Sequence, residues 1–299
     1  TTGPYNKNVS AISDWIPLEH TEITQANSVV DSAVSEQLEP LIEWRSTRIK
    51  SRAHFWGLDD GNPNTQIETV RGESASRAYF HEMEGLHQVV TYVDGRAPTS
   101  NLRIDEDGDR VVEVAVYENR SRRIRHGDVL EDLRVGDLVL ASSVSRGFGS
   151  VKGEIVGIFA ANDLGDQFWL GSPNAILEPD PPTLFGGRDN PIVLFTAEGA
   201  IAPGVGPSNA GLPMNYMRVL FTDREKISLA RPGVFVAAVD QFEDIVKTEL
   251  PQVKTLSGIR ASTNRMETKM LFLRLPVLLM SAFVVAVVGY YLFLVSGLI

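Results

Sequence analysis

The chain has 299 residues, with 28 Lys+Arg against 38 Asp+Glu and no cysteine. Its formal charge of −10 repels nucleic-acid phosphates and anionic headgroups, so no nucleic acid is expected among its partners. The lack of cysteine excludes disulfides, thiolate metal sites, iron–sulfur ligation and cysteine nucleophiles together.

TTGPYNKNVS has neither a basic start nor an apolar run, so it does not read as a signal peptide. Ala26, Val29, Val30, Ala33, Val34 and Leu38 fall at the i, i+3, i+4 spacing of an amphipathic helix that closes near Pro40. Strand patterns follow over 44–56 and 88–93, the second ending at the Asp94-Gly95 turn. Residues 102–104 and 111–117 flank Asp-Glu-Asp-Gly-Asp, where Asp107-Gly108 suits a two-residue hairpin turn. Val114 and Val116 alternate with Glu113 and Ala115, the pattern of a half-buried strand. Residues 118–126 are expected to form a short helix, and 135–140 a turn feeding a buried strand.

Strands over 139–144 and 154–159 flank Arg146-Gly147-Phe148-Gly149, and 161–190 is rich in loop signals. A strand over 192–196, a Gly/Pro segment over 202–213 and a strand over 216–222 come next. Phe235, Val239, Phe242 and Val246 mark a second amphipathic helix, and 256–259 a short link. From about Arg260 the pattern is again helical. The soluble part is expected to be α+β, a mixed helix/strand domain over 1–258, with a stalk helix over 259–274.

Chemical motifs are sparse. Asp105, Asp107 and Asp109 resemble part of a calcium loop, but Gly108 follows Asp107 directly and no twelfth-position Glu completes it. A solvated hairpin is the expectation. His81 and His87 are six apart, not the four of a zincin helix, and His20, His54 and His126 stand alone. Gly147, Gly149 and Gly153 join two expected strands rather than a strand and a helix, so they make no phosphate cradle. There is neither a P-loop nor a GxSxG elbow. No catalytic, cofactor-binding or metal-binding residue is assigned, and no enzyme activity is expected.

Residues 275–299, LPVLLMSAFVVAVVGYYLFLVSGLI, carry no charged side chain. As a helix they would extend roughly 37 Å at about 1.5 Å per residue, so a transmembrane helix is expected. Arg274 would anchor it at the interface. Ala282, Ala286, Gly289 and Ser296 lie within an arc of about 80° at roughly 100° per residue, a small-residue face for packing against another helix. The uncapped end points to a piece of a longer membrane protein. Charge alone does not orient it.

Four stretches, in this order, resemble the extracytoplasmic domain and following membrane helix of FtsX/MacB-like ABC transporter permeases. They are Val93-Asp94-Gly95-Arg96-Ala97-Pro98; Leu133-Arg134-Val135-Gly136-Asp137-Leu138-Val139; Val156-Gly157-Ile158-Phe159 with the Asp163/Asp166 turn and Phe168-Trp169-Leu170-Gly171; and Leu273-Arg274-Leu275-Pro276-Val277-Leu278-Leu279 running to Tyr290-Tyr291-Leu292. The resemblance implies a cell-membrane protein whose domain stands in the periplasm or outside the cell. It also implies membrane lipid, other transmembrane helices and a cytoplasmic ATPase subunit as partners, in a dimer or larger complex. The glycines would serve turns or close approach and Trp169 would be an apolar anchor. The competing expectation is a single-span accessory subunit of a larger membrane complex, which the charge balance fits equally well.

Overall fold

The computed structural model describes residues 8–13, 16–17, 20–59, 77–106, 108–121, 124–126, 129–143, 150–179, 191–205, 213–223, 232–251, 253–257, 276 and 279–288. In chain order the strands are β1 (Asn8–Ser13), β2 (Ile16–Pro17), β3 (Ile42–Lys50), β4 (His54–Leu58), β5 (Arg77–Met83), β6 (Val90–Gly95), β7 (Leu102–Ile104), β8 (Arg110–Tyr117), β9 (Ile124–His126), β10 (Val129–Glu131), β11 (Leu138–Ser143), β12 (Ser150–Ala161), β13 (Ile192–Thr196), β14 (Pro213–Thr222) and β15 (Val253–Ser257). The helices are α1 (His20–Gln37), α2 (Leu86–Val89), α3 (Glu118–Ser121), α4 (Pro173–Leu177) and α5 (Pro232–Glu249).

Thirteen of these strands form one sheet. Six of them, in the order β13-β8-β12-β11-β4-β5, close on themselves through the parallel pairing of β5 with β13. The barrel therefore has no free edge along this path. From β5 the sheet continues outward through β3, β14, β1 and β15. The two parts are joined by a sharp bend in the chain. β3 leaves the outer sheet at Lys50 and β4 enters the barrel at His54, with Ser51 at the start of the bend. Ser51 holds the bend from both sides: its N–H donates to the Phe80 carbonyl and its Oγ accepts from the Phe80 N–H, each at 2.9 Å. Bends of this kind let one stretch of chain pass from one sheet layer to the next.

This architecture corrects the expected fold class. Over the described residues the domain is sheet-rich and organised around a closed barrel, rather than a mixed α+β arrangement. Among the described residues no helix is long and apolar enough to cross a membrane. Within the apolar run the described residues, 276 and 279–288, are helical. The proposed stalk, 259–274, lies outside the described residues.

Several local expectations are also revised. Residues 118–126 do not form one helix: α3 ends at Ser121, and β9 pairs with β10 in a separate small sheet. The hairpin of β7 and β8 closes through a longer loop in which Asp105 accepts from the Asp109 N–H at 2.8 Å and Gly108 takes φ +85°. Asp107 lies outside the described residues, as does the turn at 146–149. The strand pattern of β8 is not half-exposed. Val112, Val114 and Val116 fill the main core, while Ala115 and Tyr117 on the opposite face join a second one.

The main core fills the barrel and runs under α1 and α5, where Phe235, Val239, Phe242 and Val246 are buried as their spacing required. Burying each such side chain contributes about 1.5–3 kcal/mol. The second core covers the outer barrel face with Phe159, Phe168, Trp169, Val193 and Phe195.

Candidate functional site

Three of the stretches that carry the permease resemblance meet at one place, the crossing of β6, β12 and the turn before β11. β12 bulges at Val156, where its registers with β6 and β8 both shift nearby. The bulge turns the Val156 carbonyl toward the Arg96 N–H, which donates to it at 2.8 Å. One residue away, the Gly136 N–H donates to the Ile155 carbonyl at 2.8 Å, and the Ile155 N–H returns to the Asp137 carbonyl at 2.9 Å. The Asp137 carboxylate tightens its own turn by accepting from the Arg134 N–H at 2.7 Å.

Glycine is required twice here. A Cβ on Gly157 would lie 2.1 Å from the Arg96 carbonyl oxygen, and one on Gly95, at φ +68°, 2.2 Å from that of Val156. Backbone crosses backbone with no room for a side chain.

Arg96 locks the same crossing from outside. Its guanidinium forms a two-pronged bond to Glu113 on β8 at 2.6 and 2.7 Å. The Thr99 N–H and Oγ add donors to the same carboxylate at 2.7 and 2.9 Å. The hydrogen bond from Arg96 is the main cause that brings the Glu113 carboxyl down to about 2; burial opposes it, and the Thr99 donors assist. A depressed carboxyl stabilises the fold above the ordinary value of 4.5 and loses that contribution as pH falls toward about 2. Arg96→Ala is expected to return Glu113 toward the ordinary carboxylate range in an NMR titration of its side-chain carboxyl. An unshifted midpoint would show that the Arg96 clamp does not govern the charge of Glu113.

The Asp163/Asp166 turn and Phe168-Trp169-Leu170-Gly171 form a plug over the outer barrel face. Asp163 accepts from the Gly165 N–H and Asp166 from the Phe168 N–H, both at 2.7 Å, which shapes the turn. Trp169 is fully buried, and its indole N–H donates to the Asp163 carbonyl at 2.9 Å. Phe168 packs against Trp44 of β3, with ring centroids 5.7 Å apart, and its carbonyl accepts from the Arg48 guanidinium. The plug thus ties the barrel to the outer sheet. The expectation of Trp169 as an apolar anchor agrees with this placement.

Two polar clusters bring together residues that lie far apart in the sequence. Lys152 on β12 lies among Asp59, Asp105 and Asp109, at 3.1, 2.7 and 3.5 Å. Burial lowers its pKa, but the bonds from Asp105 and Asp59 together outweigh this and hold the ammonium above its usual range. Asp105 and Asp109 therefore hold a lysine, which accounts for two of the three hairpin aspartates without a metal.

The second cluster centres on Arg218 of β14, which is buried. Its guanidinium pairs with Asp31 of α1 at 2.8 Å and Glu84 at 2.7 Å, and it donates to the Thr47 hydroxyl. Tyr216, beside it, donates from its hydroxyl to Asn27 at 2.7 Å; burial raises its pKa. Arg218, Asp31, Glu84, Thr47 and Asn27 line one wall of a cavity of about 340 Å³ that also meets Glu82 and Glu198. The signal that could have found Arg218 was a lone arginine in an otherwise apolar strand pattern.

Of the residues singled out for membrane packing and anchoring, two are described. Ala282 and Ala286 lie in the 279–288 helical stretch and are exposed; Arg274, Gly289 and Ser296 lie outside the described residues. His81 is buried and stacks on Phe195 at 5.7 Å, while His87 sits in α2. Among the described residues no group of three or more His, Cys, Asp or Glu is placed to hold a metal ion.

No family model matches the sequence, and no curated protein matches it. Among solved structures, the chain is distantly similar to a domain of a protein from Porphyromonas gingivalis described as a permease, with a TM-score of 0.35 and 11% identity over 85% of this chain and 88% of that one. A likeness at that score fixes neither fold nor function.

Proposed function

We propose that this chain is the extracytoplasmic domain of an ABC transporter permease of the FtsX/MacB-like kind, a mechanical part rather than a catalyst. The observation that carries the reading is the convergence of three resembling stretches, far apart in sequence, into one interlocked crossing and its plug. Backbone-to-backbone contact at Gly95 and Gly157, with Phe168 tying the barrel to the outer sheet and Trp169 packed behind it, makes a body that passes force on rather than deforming. ATP would be hydrolysed by a separate cytoplasmic subunit, since the sequence holds no P-loop. Membrane lipid and the helices of the transporter would be the remaining partners, in a dimer or larger complex. The exposed Leu279, Met280, Phe283 and Val285 support contact with apolar surroundings.

Purification of the tagged chain from its native membranes in mild detergent tests this. An ATPase activity that co-purifies and disappears when a tagged, unrelated membrane protein is used instead is the expected result. A complex with no nucleotide-hydrolysing subunit would favour an accessory subunit and overturn the permease reading.

A further inference from the structure

Two buried cations of this fold are answered by carboxylates: Lys152 by three aspartates, and Arg218 by Asp31 and Glu84. Lys50, the last residue of β3, differs. Among the described residues its ammonium has neither an ion pair nor a hydrogen bond. Its Nζ lies 4.5 Å from the centre of the Tyr79 ring, and a ring face offsets a cation's lost hydration less than a carboxylate does. Burial lowers the Lys50 pKa, with no carboxylate acting against it.

His81 stands directly opposite Lys50 in the antiparallel pair of β3 and β5. Their side chains therefore rise from one face, with Cβ atoms about 4.5–5.5 Å apart. His81 is only 6% exposed and stacks on Phe195, and its Nδ1 is buried without a hydrogen-bond partner. Such an orphaned polar atom is uncommon in a folded protein and costs free energy. Arg48, two residues before Lys50, shares this face, and its guanidinium donates to the Phe168 carbonyl. Arg77 and Tyr79 extend the face along β5. Burial first, then the charges of Lys50 and Arg48, hold the His81 imidazole well below its ordinary range. Lys50, Arg77 and Tyr79 are half-buried rather than covered, so the face reaches solvent.

We propose that this face of β3 and β5 binds a phosphate group, carried by free inorganic phosphate or by a phosphomonoester. Its oxygens would accept from the Lys50 ammonium and the His81 ring, with Arg48 and Arg77 adding positive charge. A phosphomonoester carries about −1.5 to −2 charge at pH 7 and three acceptor oxygens, enough to answer both groups at once. A carboxylate brings a single charge. The site makes no use of the ATPase or of the membrane helices, so it goes beyond the permease reading and can fail without it.

The test is calorimetric titration of the full chain in detergent micelles with inorganic phosphate, glycerol 3-phosphate and acetate at matched ionic strength. Saturable binding of the two phosphates, and weaker binding of acetate, is expected. Tighter binding of glycerol 3-phosphate would assign the site to a phosphorylated molecule, and tighter binding of inorganic phosphate to the free ion. Lys50→Met keeps a stem over Tyr79 and should weaken phosphate by about tenfold or more, the loss of one charge-assisted bond. Lys50→Arg keeps the charge and should retain most of the binding. In an NMR titration of the His81 ring, saturating phosphate should move the midpoint upward, because the anion offsets the neighbouring cations. An unmoved midpoint, acetate bound as tightly as phosphate, undiminished binding to Lys50→Met, or no saturable phosphate binding at millimolar concentration would each overturn the proposal.

Discussion

Gly157→Ala should destabilise the protein by roughly 3 kcal/mol or more, at the upper end of what overpacking costs. The added Cβ would meet the Arg96 carbonyl oxygen at 2.1 Å and Tyr92 at 2.9 Å. A side chain could rotate away, but a backbone carbonyl inside a paired crossing cannot. Gly157 is not among the positive-φ residues, so the cost would be contact alone, not conformation. Gly136→Ala provides the contrast. Gly136 has φ +98°, but a Cβ added there would have nothing within 4 Å, and the variant should lose only about 1–2 kcal/mol. Chemical denaturation of both variants separates the two causes; equal losses would show that the crossing is looser than its contacts imply.

Trp169→Ala is expected to cost about 3–5 kcal/mol, the usual range for deleting a fully buried large aromatic. Its ring packs edge-on against Phe168 with centroids 5.0 Å apart, and the cavity left behind would undermine the contact of Phe168 with β3. Trp169→Phe should retain most of the packing and lose chiefly the bond to the Asp163 carbonyl, about 1 kcal/mol. Denaturation midpoints for the pair decide whether packing or hydrogen bonding dominates. If Trp169→Phe is as damaging as Trp169→Ala, the plug depends on its polar bond rather than on burial.

The parts of this fold that could be read from the sequence are those written in local periodicity. α1 and α5 follow from apolar residues three and four apart, and the β7–β8 hairpin from two alternating runs around a Gly-containing turn. The barrel could not be read this way, because it closes through parallel pairs, β8 with β12 and β5 with β13. Parallel partners are joined by long connections and leave no adjacent signal. β5 was hidden for a different reason. His81 and Glu82, on its opposite faces, are both buried in it, so a strand with buried polar residues carried the wrong pattern.

The glycine crossing was partly legible. Gly95, Gly136 and Gly157 could be marked as turns or close approaches, but their meeting depends on the bulge in β12, which the sequence does not announce. Of the Arg218 cluster only the lone arginine in an apolar strand pattern was legible, and its partners were not. Its partners Asp31 and Glu84 are 187 and 134 residues away, and charges in such separate segments reveal nothing until the chain is folded. In the apolar run at 275–299 the described residues, 276 and 279–288, are all helical.

In the proposed permease the barrel and its outer sheet would stand outside the cytoplasm and receive motion from the transporter. The absence of native cysteine makes a direct measurement possible. Ile104 and Val234 are 66% and 65% exposed, so Ile104→Cys and Val234→Cys, made singly, give reactive thiols on the barrel side and on α5. A membrane-impermeant maleimide applied to intact spheroplasts should label both variants as fully as it does after lysis. Labelling of either variant only after lysis would place the domain inside the cell and contradict the account.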